Sequence, residues 1–253
     1  MKGIILAGGL GTRLYPITSL ISKHLLPVFG KPMIYYPLST LMLSKIKEIA
    51  IVSTPHDIPL YKKLLGDGSN WGVDFTYIIQ EEPKGIADVF RISSNFIGSE
   101  KVMLILGDNI FHGNMKMHEI KENFEGGCLI FGYSVTNPSS YGVVEINSNG
   151  KIVDLVEKPT NPKSNLAIPG LYLYDNGVLD IANNVVPSDR GELEITDVNR
   201  TYLEKDKLSV QILGRGISWM DAGTVEGLHK ISSLIKSIES NQKYKIGCPE
   251  EIA

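Results

Sequence analysis

Through the first half of the chain four short apolar runs, Ile4–Ala7, Ile49–Val52, Phe75–Ile79 and Val102–Leu106, alternate with segments of helical length and pattern. Apolar runs of that length read as strands, and their alternation with amphipathic stretches reads as repeated βαβ units carrying a parallel sheet. One helix follows Pro32, where Ile34, Leu38, Leu41, Met42 and Ile46 recur at helical spacing. A second is predicted over Gly85–Ile97, with Ile86, Val89, Phe90 and Ile97 apolar. Beyond about residue 127 the pattern turns strand-like, with Leu129–Val135, Val143–Ile146 and Ile152–Val156. The last two flank Asn147-Ser148-Asn149-Gly150, a hairpin signal because Asn and Gly accept the backbone of tight turns. Helices are predicted around Gly177–Val186 and Glu192–Leu203, then a strand over Leu208–Leu213. A last helix has Val225, Leu228, Ile231, Leu234, Ile235 and Ile238 on one face, which needs a partner in the domain's own sheet or in another subunit. There is no internal repeat. The expectation is one α/β domain over residues 1–253, parallel at first and more antiparallel later, with halves at about 1–126 and 127–223 and a terminal helix at about 224–240.

Composition narrows the classes. With 253 residues, 43% hydrophobic and 21% charged, the chain can bury an ordinary globular core. Lys plus Arg number 25 against 28 for Asp plus Glu, a net charge of −3, so neither nucleic acid nor an anionic membrane is an expected partner. Any anion must meet a local site. The two cysteines, Cys128 and Cys248, stand far apart with no CxxC, which argues against a disulfide framework or a zinc knuckle. The opening apolar run is broken by Gly8, Gly9 and Arg13 before a signal-peptide core is complete, and no run is long enough to span a membrane. A cytoplasmic location is expected.

The first predicted strand runs into Gly8-Gly9-Leu10-Gly11-Thr12-Arg13. Ligands of open α/β sheets bind at the carboxyl edge of the strands, where glycines let backbone N–H groups converge on phosphate and Arg13 adds a planar charge. A tight structural turn is the competing reading. The loop is neither Walker A, which needs Gly-Lys-Ser/Thr, nor the dinucleotide fingerprint, whose third glycine is replaced by Leu14. Lys23, in Ser22-Lys23-His24, is a second candidate phosphate-facing cation, although most lysines are simply solvated. Asp108 follows the fourth strand in Leu106-Gly107-Asp108-Asn109, and Asp221 follows a short apolar segment in Trp219-Met220-Asp221. A carboxylate beside a phosphate site calls for a cation between them, and Mg²⁺ is typically held by one or two carboxylates plus phosphate oxygens. Taken alone, either aspartate serves equally well as a turn or N-cap residue.

Together with Leu14-Tyr15-Pro16, Lys31-Pro32-Met33, Tyr141-Gly142-Val143, Glu157-Lys158-Pro159, Gly170-Leu171-Tyr172, the Ser188–Asp197 segment and Cys248-Pro249-Glu250-Glu251-Ile252, these motifs resemble the sugar-phosphate nucleotidylyltransferases over essentially the whole chain. The resemblance implies a Rossmann-like nucleotidyltransferase fold, with a nucleotide half and a sugar-phosphate half. It also implies conversion of dTTP and glucose 1-phosphate, with Mg²⁺, to dTDP-glucose and pyrophosphate. Alternatives are the same chemistry with UTP or another hexose 1-phosphate, or a silent nucleotide-sugar-binding regulator. By similarity Gly8, Gly9, Gly11, Thr12 and Arg13 hold the triphosphate, Lys23 steadies the α-phosphate, and Asp108 and Asp221 hold the metal. Gln80 pairs with the pyrimidine and Gly85 leaves room beside it. Gly142, Glu157 and Tyr172 meet the glucosyl hydroxyls, and Lys158 and Arg190 meet the sugar phosphate. Without the other motifs Glu157 and Lys158 read as a solvated pair and Tyr172 as core. A homo-oligomer, dimer or tetramer, is expected. Four positions depart from the family pattern: His24, Lys84, Leu166 and Pro169.

Overall fold

The apolar runs do become strands, and a computed structural model describes residues 1–9 and 11–253. In chain order the strands are β1 (Lys2–Leu6), β2 (Pro27–Val28), β3 (Lys31–Pro32), β4 (Glu48–Ser53), β5 (Asp74–Ile79), β6 (Val102–Leu106) and β7 (Asn109–His112). They continue with β8 (Cys128–Ser134), β9 (Gly142–Ile146), β10 (Ile152–Glu157), β11 (Leu166–Ala167), β12 (Leu171–Tyr174), β13 (Leu208–Ile212) and β14 (Ser218–Asp221). Ten of them form one sheet in the order β10-β9-β11-β8-β12-β6-β1-β4-β5, with β13 beside β8. β6, β1, β4 and β5 are parallel. Ile4, Ile5 and the run Val102–Ile105 are fully buried because helices cover both faces here, which is why these segments do not alternate in polarity.

The second half adds antiparallel strands, as its texture suggested. β9 and β10 form the hairpin across the Asn-Gly turn, while β13 runs parallel to β8. The strand that joins the halves, β12, pairs antiparallel with both β6 and β8. It is absent from the expected elements, although Leu171–Tyr174 is a buried, continuous apolar run of the same length as Ile4–Ala7.

Helix Tyr35–Leu43 stands where the spacing after Pro32 placed it. The segment predicted as one helix over 85–97 is instead two short ones, Asp88–Ile92 and Ser94–Ile97. Its first residues run beside another segment, with Leu193 N donating to Lys84 O and Ala87 N to Leu193 O. Helices Ile58–Leu65 and Met117–Asn123 are additional. The terminal helix Val225–Asn241 is capped by Thr224, whose hydroxyl oxygen accepts from Gly227 N. Ile231 and Ile235 on its apolar face pack with Val28, Met33, Tyr36, Ile110 and Ala222, so the middle of this face finds a partner within the chain, while Val225 stays 47% exposed. Among the described residues no helix is long and apolar enough to cross a membrane, and Cys128 and Cys248 are unpaired thiols.

Candidate functional site

A cleft of about 380 Å³ opens along the carboxyl edge of the parallel strands. The strand order lays out its walls. Gln80 follows β5, Gly8 and Gly9 follow β1, Asp108 follows β6, Tyr172 lies on β12, and Gly142 and Glu157 sit at paired ends of β9 and β10.

At the β1 end, Gly8 lies close under Gln80, and a β-carbon there would stand a tight 3.0 Å from Gln80 Oε1. Gly9 adopts φ 97°, in the region glycine favours. Leu10 lies outside the described residues. Gly11 and Thr12 do not reach the cleft lining. Gly11 turns the chain at φ 60° against Thr18, whose hydroxyl donates to Gly11 O, and Thr12, itself exposed, begins a single turn, Thr12–Leu14, that buries Leu14. Arg13 does reach it, lying over Gly223 so closely that a β-carbon there would meet Arg13 Nη2 at 2.7 Å and Asp221 Oδ1 at 2.8 Å.

Lys23 pairs directly with Asp108 Oδ2. Its neighbours in sequence fix the segment. Ser22 Oγ lies 2.8 Å from Tyr61 Oη and 3.2 Å from His24 Nδ1, and Tyr61 donates to Ala7 O at the mouth of the glycine loop. His24 packs beneath Gly107 and is held neutral, because burial and the adjacent Lys23 charge push its pKa down to about 3. Asp108 is buried too. Burial alone would raise its carboxyl, but Lys23, His24 and the amide of Asn109 hold it down at about 2.

Asp221 arrives from the other end of the chain. β14 pairs antiparallel with β7 so that Asp221 stands opposite Asn109, and Ala222 N donates to Asp108 O. Asn109 ties the corner together: Oδ1 accepts from Gly170 N at 2.8 Å and Trp219 Nε1 at 2.6 Å, while Nδ2 donates to Asp108 Oδ1 at 3.0 Å. Burial and the facing Asp108 charge push the Asp221 carboxyl up, with Gly223 N–H, Arg13 and Lys23 opposing. An ionised carboxylate that raises the proton affinity of the one facing it makes a place that suits a divalent cation. Among the described residues no third acidic or imidazole group joins them, which fits a site completed by phosphate oxygens and water.

At the far end Glu157 is oriented by Thr196, whose hydroxyl donates to Oε2 at 2.6 Å. Lys158 Nζ and Arg190 Nη2 each stand 3.7 Å from Glu157 Oε1. Arg190 is anchored more firmly by Glu194 at 2.8 Å, which also accepts from Ser188. A side chain at Gly142 would crowd Glu157 Oε2 at 3.1 Å. Tyr172 is both core and cleft wall, 3% exposed and stacked on Tyr174 at 6.0 Å.

Gly85 lines the cleft and also has a reason of its own. A β-carbon there would lie 2.5 Å from both N and O of Leu193, and φ is 109°, so the missing side chain makes way for a backbone. Lys84 turns to solvent beside Glu82 at 3.2 Å. Leu166 and Pro169 stand outside the lining, whereas Ile168 and Gly170 form part of it. Sequence reasoning missed Thr196, Glu194 and Asn109, which hold Glu157, Arg190 and Asp108 through hydrogen bonds spanning 39, four and one positions.

The sequence matches the nucleotidyl transferase family over residues 2–238. It is 52% identical to a glucose-1-phosphate thymidylyltransferase of Neisseria meningitidis and 52% to one of Mycolicibacterium smegmatis, in each case over 100% of this chain and 88% of the relative. A crystal structure from Bacillus anthracis assigned as a glucose-1-phosphate thymidylyltransferase, in complex with a sucrose, superposes with a TM-score of 0.86 at 41% identity, covering 92% of this chain and 94% of that one. A UDP-glucose pyrophosphorylase complexed with UDP-glucose gives 0.81 at 26% identity, covering 95% and 99%.

Proposed function

The chain belongs to the nucleotidyl transferase family, and from that premise we infer that it transfers a thymidylyl group from dTTP to glucose 1-phosphate, giving dTDP-glucose and pyrophosphate. The observation that carries this reading is the order of groups along one cleft: Gln80 and the glycine loop, then Lys23 with Asp108 and Asp221, then Glu157 with Lys158 and Arg190.

A nucleoside triphosphate lies with its base toward Gln80 and its phosphates over Gly8, Gly9 and Arg13. Glucose 1-phosphate lies beyond β12, with its hydroxyls toward Glu157, Gly142 and Tyr172 and its phosphate toward Lys158 and Arg190. An oxygen of the sugar phosphate attacks the α-phosphorus in line, the bond to the bridging oxygen breaks, and pyrophosphate leaves with the electron pair. No protein nucleophile takes part. The attacking group is already an anion, so catalysis consists of holding two anions together and neutralising charge on the transferred phosphoryl group. Lys23 supplies that charge at the α-phosphate and Arg13 at the leaving group. Thr196 keeps Glu157 turned to accept from sugar hydroxyls. Asp108 and Asp221 would hold Mg²⁺, which supplies Lewis-acid neutralisation of the phosphates when bound.

The test is pyrophosphate release across a panel of nucleoside triphosphates and sugar 1-phosphates, with and without Mg²⁺. The reading expects the highest kcat/KM for dTTP with glucose 1-phosphate and a divalent-metal requirement. No pyrophosphate from any pair would mark a binding protein, and a preference for UTP would move the substrate but keep the chemistry.

A further inference from the structure

Gln80 and Asp88 are both buried, and the amide nitrogen of Gln80 donates to Asp88 Oδ2 at 3.1 Å. An ionised carboxylate only accepts, so it faces only the NH₂ end of an amide. The other end faces the cleft: Gln80 Oε1 points to the glycine loop, 3.0 Å from where a Gly8 β-carbon would stand, in the lining of the cleft. Both partners sit on fixed backbone. Gln80 N donates to Ser53 O, and the segment leading into the helix Asp88–Ile92 is held by Leu193 through its bonds with Lys84 O and Ala87 N.

We propose that Asp88 is a specificity-determining positioning residue, locking the Gln80 amide with its oxygen toward the base so that the site accepts a pyrimidine with an N3–H and a C4 carbonyl and rejects cytosine. The proposal rests on the reading that Gln80 faces the base. Uracil and thymine offer a donor at N3 and an acceptor at C4, which match the Gln80 oxygen and the second amide hydrogen. Cytosine offers the reverse pair. Against a fixed amide, cytosine would set acceptor against acceptor and donor against donor in a buried place, where an unmet polar group is costly. A glutamine free to rotate would not discriminate, because the two ends of an amide have nearly the same shape and turning it reverses the pattern. The selectivity therefore resides in Asp88, which does not touch the base. Guanine presents the same donor and acceptor as thymine, so the device sorts among pyrimidines only.

The experiment compares wild type, Asp88→Ala, Asp88→Asn and Gln80→Ala by kcat/KM for dUTP and dCTP at saturating glucose 1-phosphate, with equilibrium binding of both as a readout that needs no turnover. These two triphosphates differ only along the edge being read, so partial unfolding or a disordered phosphate loop lowers both alike, and only base selection moves their ratio. Wild type is expected to prefer dUTP, and Asp88→Ala and Asp88→Asn each to lower that preference by about tenfold or more. The nearly isosteric asparagine keeps the test valid if alanine fails to fold. An unchanged ratio in a folded Asp88→Asn protein, beside a relaxed one in Gln80→Ala, overturns the role of Asp88 and leaves Gln80 as the base reader. An unchanged ratio in Gln80→Ala overturns both.

Discussion

Lys23 and Asp108 stand 85 positions apart in the chain and meet as an ion pair, side chains 15% and 11% exposed, at the end of β6. The pair is a prepared electrostatic corner. Lys23 keeps Asp108 ionised, while the Ser22–Tyr61–Ala7 bonds keep Lys23 in place. Lys23→Ala is expected to lower kcat by about 10² or more, the scale for removing one preorganised contact to developing charge, without loss of fold. Steady-state kinetics and circular dichroism check it; near-normal kcat in the folded variant removes Lys23 from the chemistry.

Asp221→Asn should have opposite effects on stability and activity. A carboxyl whose pKa is raised in the folded state binds its proton more tightly folded than unfolded, so its ionisation erodes stability as pH rises through the folded value. Asparagine removes that penalty and the repulsion with Asp108. In metal-free buffer at neutral pH the variant should melt no lower than wild type, while activity falls and more Mg²⁺ is needed for half-maximal rate. A lower Tm with an unchanged Mg²⁺ requirement would make Asp221 a structural residue only.

How much of this could be read from the sequence varies with range. The parallel half was legible because β1, β4 and β6 are buried on both faces and so spell continuous apolar runs. The Lys23 and Asp108 positions were legible because each follows directly from a strand or loop motif. β12, an equally continuous but isolated apolar run of four residues, was not among the expected strands, and the helix start at Asp88 was hidden because local apolar spacing cannot register that Leu193 holds residues 84–87. Asn109 illustrates the same limit. Its sequence neighbours mark the aspartate, but its bond to Trp219 spans 110 positions and exists only once β14 has paired with β7.

Thr196→Val removes the hydroxyl that donates to Glu157 while keeping the shape of the side chain. The carboxylate loses its orientation, so KM for glucose 1-phosphate should rise by about tenfold, the order of one charge-assisted hydrogen bond, while KM for dTTP stays close to wild type. Equal increases in both would place Thr196 in general packing instead.

Gly85→Ala tests the backbone crossing. The new methyl would press on Leu193 N and O at 2.5 Å in a φ region that alanine avoids, and neither neighbour is a flexible side chain. A loss of about 2–4 kcal/mol in unfolding free energy is expected. Denaturant unfolding measures it, and a loss below about 0.5 kcal/mol, the range of ordinary surface changes, would show that the crossing relaxes freely.

The central claim is direct transfer, with the sugar-phosphate oxygen displacing pyrophosphate at the α-phosphorus and no bond to the protein. The stereochemical course at that phosphorus tests it most directly, using one epimer of dTTP bearing sulfur on the α-phosphate, glucose 1-phosphate and Mg²⁺, with the configuration of the thio-substituted product read by phosphorus NMR. A single in-line displacement predicts inversion. Retention would mean two displacements through a covalent nucleotidyl-protein, and would contradict this account of the cleft.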